Sequence, residues 1–361
     1  MRRFVWNRDY EVIFMRPAAT AIREITMVFA TLRRFSRHCI ATAATLVALM
    51  VVIGGCAGLE MKERELLFRP TRDPAGWYGG MPETVQEMYL PVGASAPGER
   101  IHAWWWPAED PRAPVVFYLH GVRWNLTGQL NRISQLRRFG FAVFAIDYRG
   151  FGKSDGEMPS EATVYEDARV GWKWLVGREP DPARRYIYGH SLGGAVAIDL
   201  AAEVSGDPVG AHGLIVESTF TSLSELVSEM SYGWLPAQLL LSQKFDSIGK
   251  IGHVRMPVLF VHGTEDRYVP PRLSEVLYAA APQPKKLLLI PNGTHNNSAW
   301  TGDADYRTAL RELFGPIAVS TPELPVPAAL SRALNGDRGV NREQAQSVQD
   351  RSAAAVGTAA H

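Results

Sequence analysis

Along the middle of the chain, short apolar runs alternate with longer stretches of mixed character. Pro114 to Leu119, Phe141 to Ile146, Leu214 to Val216 and Val258 to Val261 carry no polar alternation, as expected of strands covered on both faces. Lys286 to Ile290 reads as the last strand, and Arg185 to Tyr188 as one leading into a glycine-rich turn. Between these runs the pattern predicts helices over about Leu126 to Phe139, Thr163 to Val176, Leu192 to Val204, Arg272 to Ala280 and Asp305 to Phe314. Upstream, Val85 to Leu90 and Ile101 to Trp106 read as the first two strands, with Pro91 to Glu99 as the turn. The three tryptophans Trp104, Trp105 and Trp106 then alternate faces, two packed and one at the surface. Buried strands alternating with helices predict an α/β fold: a mostly parallel, doubly wound sheet with helices on both faces.

The stretch that organises this pattern is Tyr186-Ile187-Tyr188-Gly189-His190-Ser191-Leu192-Gly193-Gly194. Apolar residues enter it and a small, helix-compatible run leaves it. Gly-x-Ser-x-Gly in a strand-to-helix context is a nucleophile elbow. A serine on so sharp a turn has strained backbone angles, and its neighbours must lack side chains that collide. The turn also puts the N–H of Leu192 at a helix start, where it can face a developing oxyanion.

A serine hydroxyl is a weak nucleophile and needs a base, which needs an orienting acid. Past the elbow, His295 alone among the histidines follows the last strand; His212 and His253 precede strands, His262 ends one, and His361 is terminal. Asp266, after the strand ending at His262 and Gly263, is the favoured acid. Glu265 and Glu217 compete with it, and Asp147 is expected instead to brace Arg149 and the turn around it. The second oxyanion donor is expected from the loop after His120 and Gly121, through the N–H of Val122, with His120 held by a structural hydrogen bond. This chemistry needs no metal or organic cofactor.

Taken together, HGVRWN, DYRGFGKSDG, GHSLGG, ESTFTSL, KFDS, MPVLFVHGTEDRYVP and GTHNN resemble, in order and spacing, the BEM46-like (ABHD17/ABHD13-like) α/β-hydrolases over roughly Leu59 to Pro316. The resemblance implies an α/β-hydrolase fold with Ser191 as nucleophile, Asp266 as acid and His295 as base. It departs at Val122-Arg123-Trp124, where the family commonly has a small, polar loop. The implied activity is hydrolysis of carboxylic esters of small or lipid-like substrates. Thioester or peptide cleavage on the same residues, and a non-catalytic envelope scaffold, are the alternatives. The stretch from Ser218 to Ile251 carries Met230, Trp234 and Leu239 to Leu241, and is either a cap over the pocket or a completion of the core.

Composition changes this picture mainly at the ends. A net charge of +1 gives no reason to expect a nucleic-acid partner. Near the N-terminus, basic Arg33 to His38 is followed by apolar Cys39 to Ile53 and then Gly54-Gly55-Cys56. This resembles a bacterial lipoprotein signal with its lipobox, which implies cleavage before Cys56 and acylation of that residue. The apolar run is shorter than the ~20 residues a membrane span prefers, so an uncleaved anchor helix is the lesser reading. The expected organisation is an over-extended start over 1–26, with translation from Met27; a signal over 27–55; a tether over 56–80; the hydrolase domain over 81–317; and a disordered tail over 318–361, rich in Ala, Pro, Ser, Arg and Gln. A lipid anchor to the cell envelope follows. In a diderm host, the absence of Asp after Cys56 points to the outer membrane, by resemblance to lipoprotein sorting.

Overall fold

The computed structural model describes residues 58–206, 209–232 and 241–317. Cys56, the signal stretch and the tail from 318 lie outside the described residues. The chain divides into two units, Met1–Met61 and Lys62–His361; apart from a helix over 58–68 that begins in the first, everything below concerns the second. Among the described residues no helix is long and apolar enough to cross a membrane.

Among the described residues eight strands form one sheet: β1 (Gln86–Pro91), β2 (Arg100–Trp106), β3 (Val115–Leu119), β4 (Ala142–Ile146), β5 (Arg185–His190), β6 (Gly213–Glu217), β7 (Val258–Gly263) and β8 (Lys285–Ile290). Their order is β1-β2-β4-β3-β5-β6-β7-β8. Strand β2 runs antiparallel to both neighbours, and the pairs from β4 to β8 are all parallel. The predicted doubly wound sheet is therefore present. Every residue of β3, β4 and β6 is buried, which explains their unbroken apolar runs. Edge strand β8 is only partly buried and opens on two lysines, which discourage pairing with another chain.

Helices α1 (58–68), α2 (Leu126–Arg138), α3 (Glu161–Arg178), α4 (Leu192–Glu203), α5 (Leu223–Val227), α6 (Ser247–Ile251), α7 (Pro271–Ala280), α8 (Ser298–Thr301) and α9 (Asp303–Phe314) connect and flank the strands. Two core layers result. On one face Phe117, Phe144 and Ile187 meet Trp172 of α3, Val196 of α4 and Leu273 of α7. On the other Val116, Tyr118 and Tyr188 meet Ile133 and Leu136 of α2 and Leu310 of α9. Burying each large apolar side chain stabilises the fold by about 1.5–3 kcal/mol. The tryptophans of β2 alternate as expected: Trp104 and Trp105 join opposite layers, and Trp106 is half-buried.

Local signals fix the ends of the helices that frame the site. Asn125 caps α2, its side-chain oxygen accepting the Thr127 N–H at 3.0 Å. Its amide donates to the carbonyls of Thr71 and Asp73, pinning that segment to the start of α2. A reciprocal cap between Ser160 and Thr163 starts α3 at Glu161, two residues before the predicted start. Phe68 is wholly buried against Phe245, which also meets Tyr165. Within 218–251, α5 and α6 are described, whereas 233–240 lie outside the described residues.

One expectation fails here. Asp147 does not brace Arg149. The chain leaves the sheet after Ile146, so Asp147 meets His102 of β2 at 2.8 Å and the N–H of Leu126 at 2.8 Å. Arg149 instead meets α3, donating from Nε to Asp167 at 2.7 Å and pairing with Glu166.

Candidate active site

The carboxyl ends of β3, β5, β7 and β8 lie along one edge of the sheet, where doubly wound folds bind ligands. Ser191 sits there between β5 and α4 with φ 57 and ψ −124. A positive φ is rare for a serine and costs about 1–3 kcal/mol unless the surroundings enforce it. They do. The Ser191 N–H donates to Glu217 O at 2.9 Å, and its carbonyl accepts from Gly194 N at 2.8 Å and Thr219 Oγ1 at 2.9 Å. A side chain on Gly189 would collide with the Gly193 carbonyl, and one on Gly193 with that of Leu119. The motif glycines are thus required by close backbone approach. Ser191 Oγ makes no hydrogen bond among the described residues.

Asp266 and His295 meet as the sequence predicted: Nδ1 of His295 donates to Asp266 Oδ2 at 2.7 Å. That assigns the proton to Nδ1 and leaves Nε2 as the acceptor on the far side of the ring. Oδ1 of Asp266 accepts the N–H groups of Tyr268 and Val269, each at 2.9 Å. His262 supplies a further contact, its Nε2 lying 3.2 Å from Asp266 Oδ2 while donating to Val269 O at 2.8 Å. Burial pushes the Asp266 carboxyl up, but the hydrogen bonds from His262 and His295 outweigh it and hold the group well below the usual carboxylate range. The acid is therefore ionised throughout the neutral range. Glu265, next in sequence, is exposed and its backbone binds Gly293 O.

The Val122 loop passes directly beside the serine: a Cβ built on Gly121 would lie 3.2 Å from Ser191 Cβ. Neither Val122 nor Leu192 donates its N–H to an acceptor among the described residues. His120 Nδ1 donates to Gly121 O at 2.7 Å, and Tyr148 donates to His120 O at 3.3 Å, so His120 shapes this loop from within the fold.

Among the described residues the Glu217 carboxylate makes no hydrogen bond to the His295 ring, whose Nδ1 is taken by Asp266. It is wholly buried and paired with Arg132 of α2. It also accepts from Ser298 Oγ at 2.8 Å, Tyr188 OH at 2.6 Å and Tyr306 OH at 3.5 Å. This cluster grips the segment after His295 through Ser298 and through Arg132, which donates to Asn296 O at 3.4 Å. His190 holds the same segment, donating from Nε2 to His295 O at 2.9 Å. The supporting roles of Arg132, His190, His262 and Ser298 left no mark in the sequence, because each depends on a partner brought in by the fold.

A model of the serine aminopeptidase S33 family matches residues 109–245. An uncharacterized protein of Mycobacterium tuberculosis is 33% identical over 285 residues, which cover 78% of this chain and 98% of that one. The lysophosphatidylserine lipase ABHD12 of Danio rerio is 34% identical over 200 residues, 51% of each chain. Among solved structures, the Pyrococcus furiosus esterase Pf2001 matches with a TM-score of 0.55 at 19% identity, over 68% of this chain and 98% of its own. That likeness is one of fold.

Proposed function

The chain belongs to the α/β-hydrolase family, and from that premise we propose that it cleaves carboxylic esters through Ser191, His295 and Asp266. The observation that carries the reading is Ser191 held at φ 57 on the elbow, on the same sheet edge as a His295 ring fixed 2.7 Å from Asp266. In this mechanism the free Nε2 of His295 takes the hydroxyl proton as Ser191 attacks the acyl carbonyl. The uncommitted N–H groups of Leu192 and Val122 receive the oxyanion. Asp266, ionised and fully ligated, holds the imidazole in its tautomer and stabilises the charge it acquires. His295 then protonates the departing alcohol and activates the water that releases the acyl group.

Lipid-like acyl esters are among the substrates we propose, in keeping with the zebrafish lipase relative. Peptide cleavage on the same residues is the second reading, favoured by the aminopeptidase family match. Membership of the BEM46-like branch, and attachment to the cell envelope through a lipid on Cys56, belong to the same proposal.

The test is turnover of p-nitrophenyl acetate, butyrate and octanoate beside matched thioester and amide substrates, with Ser191→Ala as control. Ester turnover lost in Ser191→Ala supports the reading, and faster amide cleavage moves it to a peptidase. If no substrate turns over and a fluorophosphonate leaves Ser191 unlabelled, the nucleophile is not activated and a scaffold role replaces it.

A further inference from the structure

The loop that carries Val122 also carries the chain's main departure from its resembled family, and the fold holds it in a definite shape. Trp124 adopts φ 64, an outlying conformation for so bulky a residue. Its ring packs edge-on against Trp77, with centroids 4.7 Å apart. Gln129 Nε2 donates to the Arg123 carbonyl at 3.1 Å, and Asn125 anchors the loop's end. Strain that is kept and braced in this way presents something. What it presents is Arg123.

The Arg123 side chain is exposed and pairs with no carboxylate among the described residues. Its guanidinium lies 5.9 Å from the centroid of the Tyr268 ring, and that ring lies 5.5 Å from the ring of His295. A cation one ring removed from His295, and paired with no carboxylate among the described residues, is open to an anion from outside. A planar guanidinium suits carboxylate and phosphate oxygens because it can donate two parallel N–H groups. His295 protonates the departing alcohol, so a substrate group beside His295 belongs to the alcohol side of the ester.

We propose that Arg123 is a specificity residue that binds an anionic group on the alcohol portion of the substrate, making anionic esters the preferred class. This rests on the serine-hydrolase reading above and adds the substrate charge. Tyr268 serves as the platform that keeps the guanidinium near the base.

The test compares 4-carboxyphenyl butyrate with its neutral carboxamide counterpart. The protein is expected to favour the anionic ester by about 10-fold or more in kcat/KM, expressed mainly in KM. Arg123→Gln should remove most of that ratio, Arg123→Lys should keep part of it, and Arg123→Glu should reverse it. Raising the salt from low to high ionic strength should shrink the preference of the parent but not that of Arg123→Gln. An anionic-to-neutral ratio that is the same in the parent and all three variants overturns the assignment while leaving the hydrolase reading intact. If neither ester turns over and a fluorophosphonate fails to label Ser191, the hydrolase reading falls and takes this one with it.

Discussion

Glu217→Gln isolates the buried ion pair behind the His295 segment. The wild-type carboxylate is wholly enclosed and takes four donors, from Arg132, Ser298, Tyr188 and Tyr306. Burial pushes the Arg132 guanidinium down, and the Glu217 charge more than offsets this, holding it above its ordinary value. Glutamine keeps the shape but strands a buried cation and points an amide N–H at other donors. Breaking a buried pair from one side costs about 3–5 kcal/mol. For a domain of this size each kcal/mol shifts Tm by about 2–4 °C, so a loss of about 6–20 °C is expected by calorimetry. Replacing both partners with apolar residues, Glu217→Leu with Arg132→Met, should recover most of that loss, because no charge is left stranded. A shift below about 2 °C for Glu217→Gln, or a double variant no better than the sum of its parts, would refute the argument.

The same variant separates positioning from stability. At 25 °C most of the protein should remain folded, since net stabilities run to about 5–15 kcal/mol. Ser298 and Asn296 are gripped by the cluster, so His295 should lose its register with Ser191. A small misplacement of a catalytic group costs up to about 100-fold, and kcat for p-nitrophenyl butyrate should fall by about 10–100-fold with little change in KM. An unchanged kcat in folded protein would reduce the cluster to a stability element.

Three further outcomes are expected. Gly193→Ala should destabilise by about 1–3 kcal/mol or more and abolish fluorophosphonate labelling, because the added methyl meets the Leu119 carbonyl; normal labelling would contradict the close approach. Asn125→Ala should cost about 1–2 kcal/mol in urea unfolding, through the lost cap of α2 and the freed carbonyls of Thr71 and Asp73; a change within error would show the cap to be idle. Burial, with the charges of Arg132 and His295 adding to it, holds the His190 imidazole well below its ordinary value. A histidine lowered in the folded state contributes stability above its unfolded pKa of about 6.5, lost as pH falls below it by up to about 1.4 kcal/mol per pH unit. The Tm of His190→Asn should therefore vary less between pH 7 and pH 5 than that of the parent, and equal slopes would remove His190 from the account.

What was legible in the sequence divides along a physical line. Strands β3, β4 and β6 could be read because burial on both faces leaves no polar position to confuse the pattern. The elbow could be read because its glycines are demanded by backbone contacts within a few residues or with the adjacent strand. Asp266 and His295 could be paired because both follow strand ends, and parallel strands in one sheet bring such ends together. Glu217 is the last residue of its strand and Asp147 follows another, and position alone could not say what they do. Glu217 is claimed by Arg132, a residue of α2 that reads as an ordinary helix cation until the helix docks. Asp147 is claimed by His102 across an antiparallel pairing that no local pattern announces. At Val122-Arg123-Trp124 the departure from the resembled family was visible as letters alone. That Trp124 takes a positive φ, and that Arg123 comes to rest over Tyr268, depends on Trp77 and on the loop after β7. Polar residues acquire their roles from partners distant in sequence, so the pairing of Asp266 with His295, each just past one of two adjacent parallel strands, was open to inference, while the cluster around Glu217 and the contact of Arg123 with Tyr268 required the fold.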